Sequence, residues 1–192
     1  MKLPLIFLTL FSPAVMATQM VGFGASYYDE ESSVTYYDTH KPLVPKVVIG
    51  DRLFPIEFSS LTDIAKQTGV VVNRDDFASW LCLTSENITY WFISDNEMGQ
   101  GDLTAIAIAR EGKQKGCSAY KGYLNISVKG IPLLNASTDT LLATFSSKPE
   151  GEITQYCNDS SRYGDFTQSN CLQYYREKGI IKGVIISQIT AS

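Results

Sequence analysis

The sequence predicts an α+β protein built as two tandem modules, each a short helical segment packed on a small antiparallel sheet. Three observations carry this. A β-rich run, a glycine turn and an apolar–proline–apolar entry occur twice, as Val47-Val48-Ile49-Gly50 leading to Phe54-Pro55-Ile56, and as Ile126-Ser127-Val128-Lys129-Gly130 leading to Ile131-Pro132-Leu133. A short helix signal follows each entry. Strand-forming runs containing a cysteine follow each helix, and the whole order recurs after about 75 residues.

The first helix is expected to start at Ser59 or Ser60, with Asp63 placed for a capping box, Leu61, Ile64 and Ala65 as its apolar stripe and Gly69 as its end. The second is expected after Asn135 or Ser137, with Leu141, Leu142 and Phe145 as the stripe and Pro149 as the stop. Trp80 to Leu83 and Tyr90 to Ile93 read as strands across the polar turn Thr84 to Asn87. Leu103 to Ala109 alternates Thr104, Ile106 and Ile108 against Leu103, Ala105 and Ala107, the pattern of a half-buried strand with its branched side chains toward the helix. In the second copy the strands are expected around Gln155 to Cys157, Cys171 to Tyr175 and Ile180 to Ile189. The division is therefore 1–17 signal peptide, 18–45 N-terminal arm, 46–115 first module and 116–192 second module.

Residues 1–17 carry Lys2, an apolar run from Leu3 to Phe11 and a small residue at Ala17, which is the secretory pattern. Cleavage near Ala17 and a periplasmic or secreted destination are expected. A membrane-spanning helix takes about 20 apolar residues, and no segment offers that. About 175 residues remain, enough for one ordinary domain or two small modules. The arm is polar and aromatic without periodicity; Tyr27-Tyr28-Asp29 recurs as Tyr36-Tyr37-Asp38, and it reads as a loose arm that can pair as an edge strand, with a partner-binding arm as the alternative.

The net charge of −4 provides no basic footprint for nucleic acid, and Arg110, Lys113 and Lys115 read as a solvated hairpin flank. Four cysteines follow the signal peptide, so two disulfides are expected, with three connectivities open. Cys82–Cys117 and Cys157–Cys171 are preferred because each bond then closes within one half of the chain. Zinc would require paired close spacings such as C-x-x-C, and none occurs.

On Val128, Gly130, Ile131 and Leu133, the helix ended by Ser147-Lys148-Pro149 and the strands after it, the unit resembles the small outer-membrane lipoproteins of the SmpA/OmlA type. Its doubling resembles the β-lactamase-inhibitor-protein architecture, two helix-plus-sheet modules each with a disulfide. The likeness covers about residues 46–190 through short motifs; the glycine usual just before the helix and the lipid-anchoring cysteine are both missing. It implies a hairpin loop of the first module that carries an acid into a target enzyme. The matching loop is Asp95 to Asp102, with Asp95, Glu97 and Asp102 as its acids.

No catalytic, cofactor or metal site stands out. His40 is the single histidine and sits in the arm, the cysteines are expected to be oxidised, and the 95–102 loop lacks the ligand order of a calcium-binding hand. Its acids read as turn chemistry, with Gly99 and Gly101 at positive φ. Asp75-Asp76 with Asp95, Glu97 and Asp102 would be the carboxylates of a hydrolase. Asn87, Asn125, Asn135 and Asn158 lie in glycosylation-type triplets that read as polar turns. The expected binding surface is aromatic: Tyr90, Trp91, Phe92, Tyr174 and Tyr175 on a sheet face, beside the acidic loop. The expectation is a non-enzymatic periplasmic binding protein, an inhibitor or immunity protein for an envelope-acting enzyme; the alternatives are an outer-membrane assembly factor and a carboxylate-dependent hydrolase.

Overall fold

The computed structural model describes residues 19–28, 32–111 and 114–191, and of residues 160–163 the backbone alone. The expected signal peptide, residues 1–17, and Lys113 lie outside the described residues.

After a strap of 3-10 helix, Gly22–Tyr28, come β1 Val34–Asp38, β2 Pro45–Ile49, β3 Arg52–Leu53, α1 Leu61–Thr68, β4 Asn73–Arg74, β5 Ala78–Ser85, β6 Ile88–Asp95 and β7 Ala105–Ala109. The second half continues with β8 Ser118–Ala119, β9 Leu124–Val128, α2 Thr138–Phe145, β10 Ile153–Tyr163, β11 Phe166–Glu177 and β12 Ile180–Ala191. The helices form where cap chemistry permits. Ser60 accepts from the Asp63 amide and Gly69 ends α1 in the left-handed region, while Ser137 and Thr140 make a reciprocal capping box for α2 and Ser146 ends it, also left-handed.

Separate modules do not form. The strands join into one nine-stranded mixed sheet, ordered β1-β10-β11-β12-β7-β6-β5-β4 with β8 beside β5, and a three-stranded sheet β3-β2-β9. The join is at β7 and β12, which pair antiparallel with Ile106 opposite Ile186. The physical reason lies in their composition. Ala105-Ile106-Ala107-Ile108-Ala109 and Val184-Ile185-Ile186 are apolar on both faces, and a strand of that kind belongs in the interior of a sheet. Every residue of β7 is buried, so it is not the half-buried strand the alternation implied.

The two halves interlock. β1 of the first half lies parallel beside β10 of the second, and β8, at the start of the second half, lies parallel beside β5 of the first. β2 and β9, the entry strands of the two halves, also pair with each other across the small sheet. Both disulfides have the expected partners, but only Cys157–Cys171 stays within one half. Cys82–Cys117 bonds the exchanged strand β8 side to β5, across the expected module boundary.

Side-chain parity divides the large sheet into two apolar layers. One face carries Leu81, Leu83, Phe92, Ile106, Ile108, Leu172, Tyr174, Val184 and Ile186 against α1, α2 and the small sheet. The other carries Trp80, Cys82, Trp91, Ile93, Ala105, Ala107 and Ile185 against Met20 and Phe23 of the N-terminal segment. That segment is no loose arm. Phe23 stands edge-on to Tyr175, with ring centroids 5.0 Å apart, and its amide donates to Glu111 at 3.1 Å. Two glycines permit the approach. A β-carbon on Gly24 would lie 2.4 Å from the Trp91 indole, and one on Gly183 would lie 2.3 Å from the Phe23 ring. The rest of this face, over the second half, is polar: Gln155, Cys157, Cys171 and Gln173 are half-buried there.

Candidate functional site

The expected aromatic face is closed. Phe92 and Tyr174 are fully buried on the helix side, Tyr174 donating to the Pro132 carbonyl at 2.7 Å. Trp91 points to the other face and is 1% exposed beneath the strap. Tyr90 and Tyr175 are half-buried, and the Tyr175 hydroxyl donates to the Ser26 carbonyl at 3.2 Å. Both layers thus consume the aromatic residues that an open sheet would have left for a partner.

The acids of the 95–102 loop remain accessible, but they separate. Asp95 closes its own turn: Oδ1 accepts from the amides of Glu97 at 2.8 Å and Met98 at 2.9 Å, and Oδ2 accepts from the Tyr27 hydroxyl at 3.2 Å. A neighbouring turn does the same with Asp75. Its Oδ1 accepts from the amides of Phe77 and Ala78, both at 2.9 Å, and its Oδ2 from the Tyr28 hydroxyl at 2.9 Å. Asn96 ties the two turns together, donating from Nδ2 to the Asp75 carbonyl at 2.9 Å and from its amide to the Phe77 carbonyl at 3.0 Å. Sequence reasoning read Asp75 and Asp95 as chemistry or turn residues in isolation. It noted Tyr27 and Tyr28 only as a repeat within the arm and did not join them to the acids, because the strap that delivers them has no periodic pattern, and it missed Phe77.

The result is a cleft of about 740 Å³ between the strap and the two turns. Gln19, Tyr27, Tyr28, Asp75, Asp76, Phe77, Asp95 and Glu97 line it. The Tyr27 and Tyr28 rings meet edge-on at 5.8 Å, and Tyr28 meets Phe77 at 5.9 Å. Phe77 is 71% exposed, a large apolar ring held on the rim. Asp76 and Glu97 are exposed beside it. Among the described residues none that lines it is basic. Burial pushes the hydroxyls of both tyrosines well above the usual tyrosine range, and the negative charge of Asp95 and the hydrogen bond to Asp75 add to the effect. They therefore stay protonated and donate fixed hydrogen bonds to the two carboxylates.

Asp102 faces elsewhere. It lines a second, smaller cavity of about 130 Å³ with Glu57, Met98, Gly99, Thr104, Ile189 and Thr190. Glu57 has φ +65°, a left-handed backbone on a residue with a β-carbon. Its carboxylate holds it there, accepting from the Thr190 amide at 2.5 Å, the Thr190 hydroxyl at 2.9 Å, Gln168 Nε2 at 2.9 Å and Gln188 Nε2 at 3.3 Å. β7 stops pairing with β12 at Ser187, and Glu57 takes over the exposed edge beyond it. In the loop itself Gly101 has φ +106°, whereas Gly99 is there for space: a β-carbon would press on the Ser94 hydroxyl at 2.6 Å.

The remaining singled-out residues stay apart. His40 is exposed in the link after β1. Arg110 donates to Asn135, far along the chain. Among the described residues no three His, Cys, Asp or Glu side chains assemble as a metal site.

No protein-family model matches this chain, and neither a curated protein nor a solved structure does. The class that can be stated is structural: a protein of mixed β-sheet over two short helices, closed by two disulfides. Those disulfides fit an extracellular or periplasmic protein. No described helix is long and apolar enough to cross a membrane.

Proposed function

We propose that this is a periplasmic, non-enzymatic binding protein, in its most concrete version an inhibitor or immunity protein for an enzyme acting on the cell envelope. One observation carries the reading. Two adjacent turns spend their buried-side acids, Asp75 and Asp95, on holding backbone and tyrosines in place, and so present Asp76, Phe77 and Glu97 on a rigid rim. Preorganised groups of that kind lose little entropy on binding, which favours recognition. Carboxylates already saturated by amide and phenol donors are poorly placed to shuttle protons, which weighs against the hydrolase. Relative to the sequence expectation of a sheet face beside the 95–102 loop, the proposed surface gives up the sheet face and, of the loop acids, keeps Asp95 and Glu97.

Affinity capture from periplasmic extract with the mature protein as bait tests it. One envelope enzyme is expected to be retained, and its activity to fall when the protein is added. Retention that is unchanged when Asp76→Asn, Phe77→Ala and Glu97→Gln are combined would remove this surface from the proposal.

A further inference from the structure

Resting on the binding reading above, we infer that the cleft is a groove for a basic peptide segment of the partner, taking an arginine or lysine side chain between its aromatic walls. Three properties argue for that occupant. The first is the walls. Tyr27, Tyr28 and Phe77 form a continuous run of rings, and Phe77 leaves most of its surface to water. Aromatic faces bind the cationic heads of Arg and Lys while their edges pack the aliphatic stems.

The second is charge. Asp75, Asp76, Asp95 and Glu97 line one cleft, and among the described residues no basic side chain joins them there. Two of the four are already compensated by tyrosine and amide donors. Asp76 and Glu97 stand exposed on the rim, where a cation bound between the rings would complement them. The third is size and spread. A cleft of about 740 Å³ is in the range of sites for organic ligands. Among the described residues its acids do not gather as a metal-holding group. An extended chain segment with one or two cationic side chains fits such a shape better than an ion does.

The test titrates the mature, disulfide-intact protein with a short oligoarginine peptide by calorimetry, with an oligoglutamate peptide of the same length as control. Oligoarginine is expected to bind, more weakly as salt rises, and oligoglutamate to produce no heat. Combining Asp76→Asn with Glu97→Gln is expected to weaken oligoarginine binding about tenfold, and Phe77→Ala by a similar factor. All three side chains are exposed, so each variant is expected to melt with the parent protein. Absence of oligoarginine binding, or full affinity in the charge-neutralised variant, would overturn the groove. Partner capture that persists while the peptide fails would overturn the groove alone and leave the binding reading standing.

Discussion

Glu57 shows how one side chain can settle a stretch of backbone that propensity would reject. A left-handed conformation costs a residue with a β-carbon about 1–2 kcal/mol. The carboxylate offsets this by closing the open edge of β12 through both the amide and hydroxyl of Thr190, with Gln168 and Gln188 on the same oxygens. Glu57→Ala is expected to lower stability by about 2–3 kcal/mol, since hydrogen bonds to a charged acceptor contribute about that much and the strain stays. Glu57→Gly is expected to recover about 1 kcal/mol of the loss, because it releases the strain alone. Urea denaturation of the two variants checks the order; equal midpoints would mean that the backbone strain is not what the carboxylate offsets. Nothing in the sequence around Pro55-Ile56-Glu57 marks this residue, because its partners lie more than a hundred positions away. Asp75 and Asp95 were half legible. Their turn-capping amides are local and readable from an Asp placed two residues before the amide it accepts, whereas the tyrosines they hold come from the strap.

The same division between local and distant causes separates the helices from the strap. Ser60, Gly69 and Ser137 specify their helices through neighbours within four residues, so both helices could be placed from the chain alone. The strap has no such code. Its seven residues, GFGASYY, become ordered because Gly24 lies flat on Trp91 and Phe23 lies over Gly183. It also explains why Trp91 is buried: without the strap, the indole and the alanine stripe of β7 would form an open apolar face. Phe23→Ala is therefore expected to cost about 3 kcal/mol or more, as for other buried phenylalanines. It is also expected to shift Trp91 fluorescence to the red as water reaches the indole. Since Tyr27 and Tyr28 belong to the same segment, the substitution is expected to weaken oligoarginine binding as well, although Phe23 does not line the cleft. Unshifted emission in a destabilised variant would show that Trp91 is covered by something other than the strap.

Over the whole chain, the alternation that suggested two modules was read one face at a time. β7 has an apolar residue at every position, and so has the core of β12; neither parity offers a polar face to water. That alone requires an interior place for both strands, and pairing them with each other supplies it. The exchange of β1 and β8 follows from the same economy of edges. β10 would be left with an unpaired side, and β5 with one beyond Ser79 and Trp80, where β4 pairs it; the strands that cover these stretches, β1 and β8, come from the opposite half. Such an arrangement makes the halves mutually dependent. A protease site placed between Glu111 and Gln114 is expected to cut the chain without releasing either half. Unreduced, the pieces stay covalent through Cys82–Cys117. In the chain-entropy picture the two disulfides, spanning 35 and 14 residues, contribute about 3–4 kcal/mol each. Under reduction without denaturant the cut pieces are still expected to elute together from a sizing column, because four strand pairings join the halves: β1 with β10, β8 with β5, β2 with β9 and β7 with β12. Two independently folded pieces eluting apart would mean that each half can close its own sheet, and the shared core described by Ile106 and Ile186 would then not be what holds the molecule together.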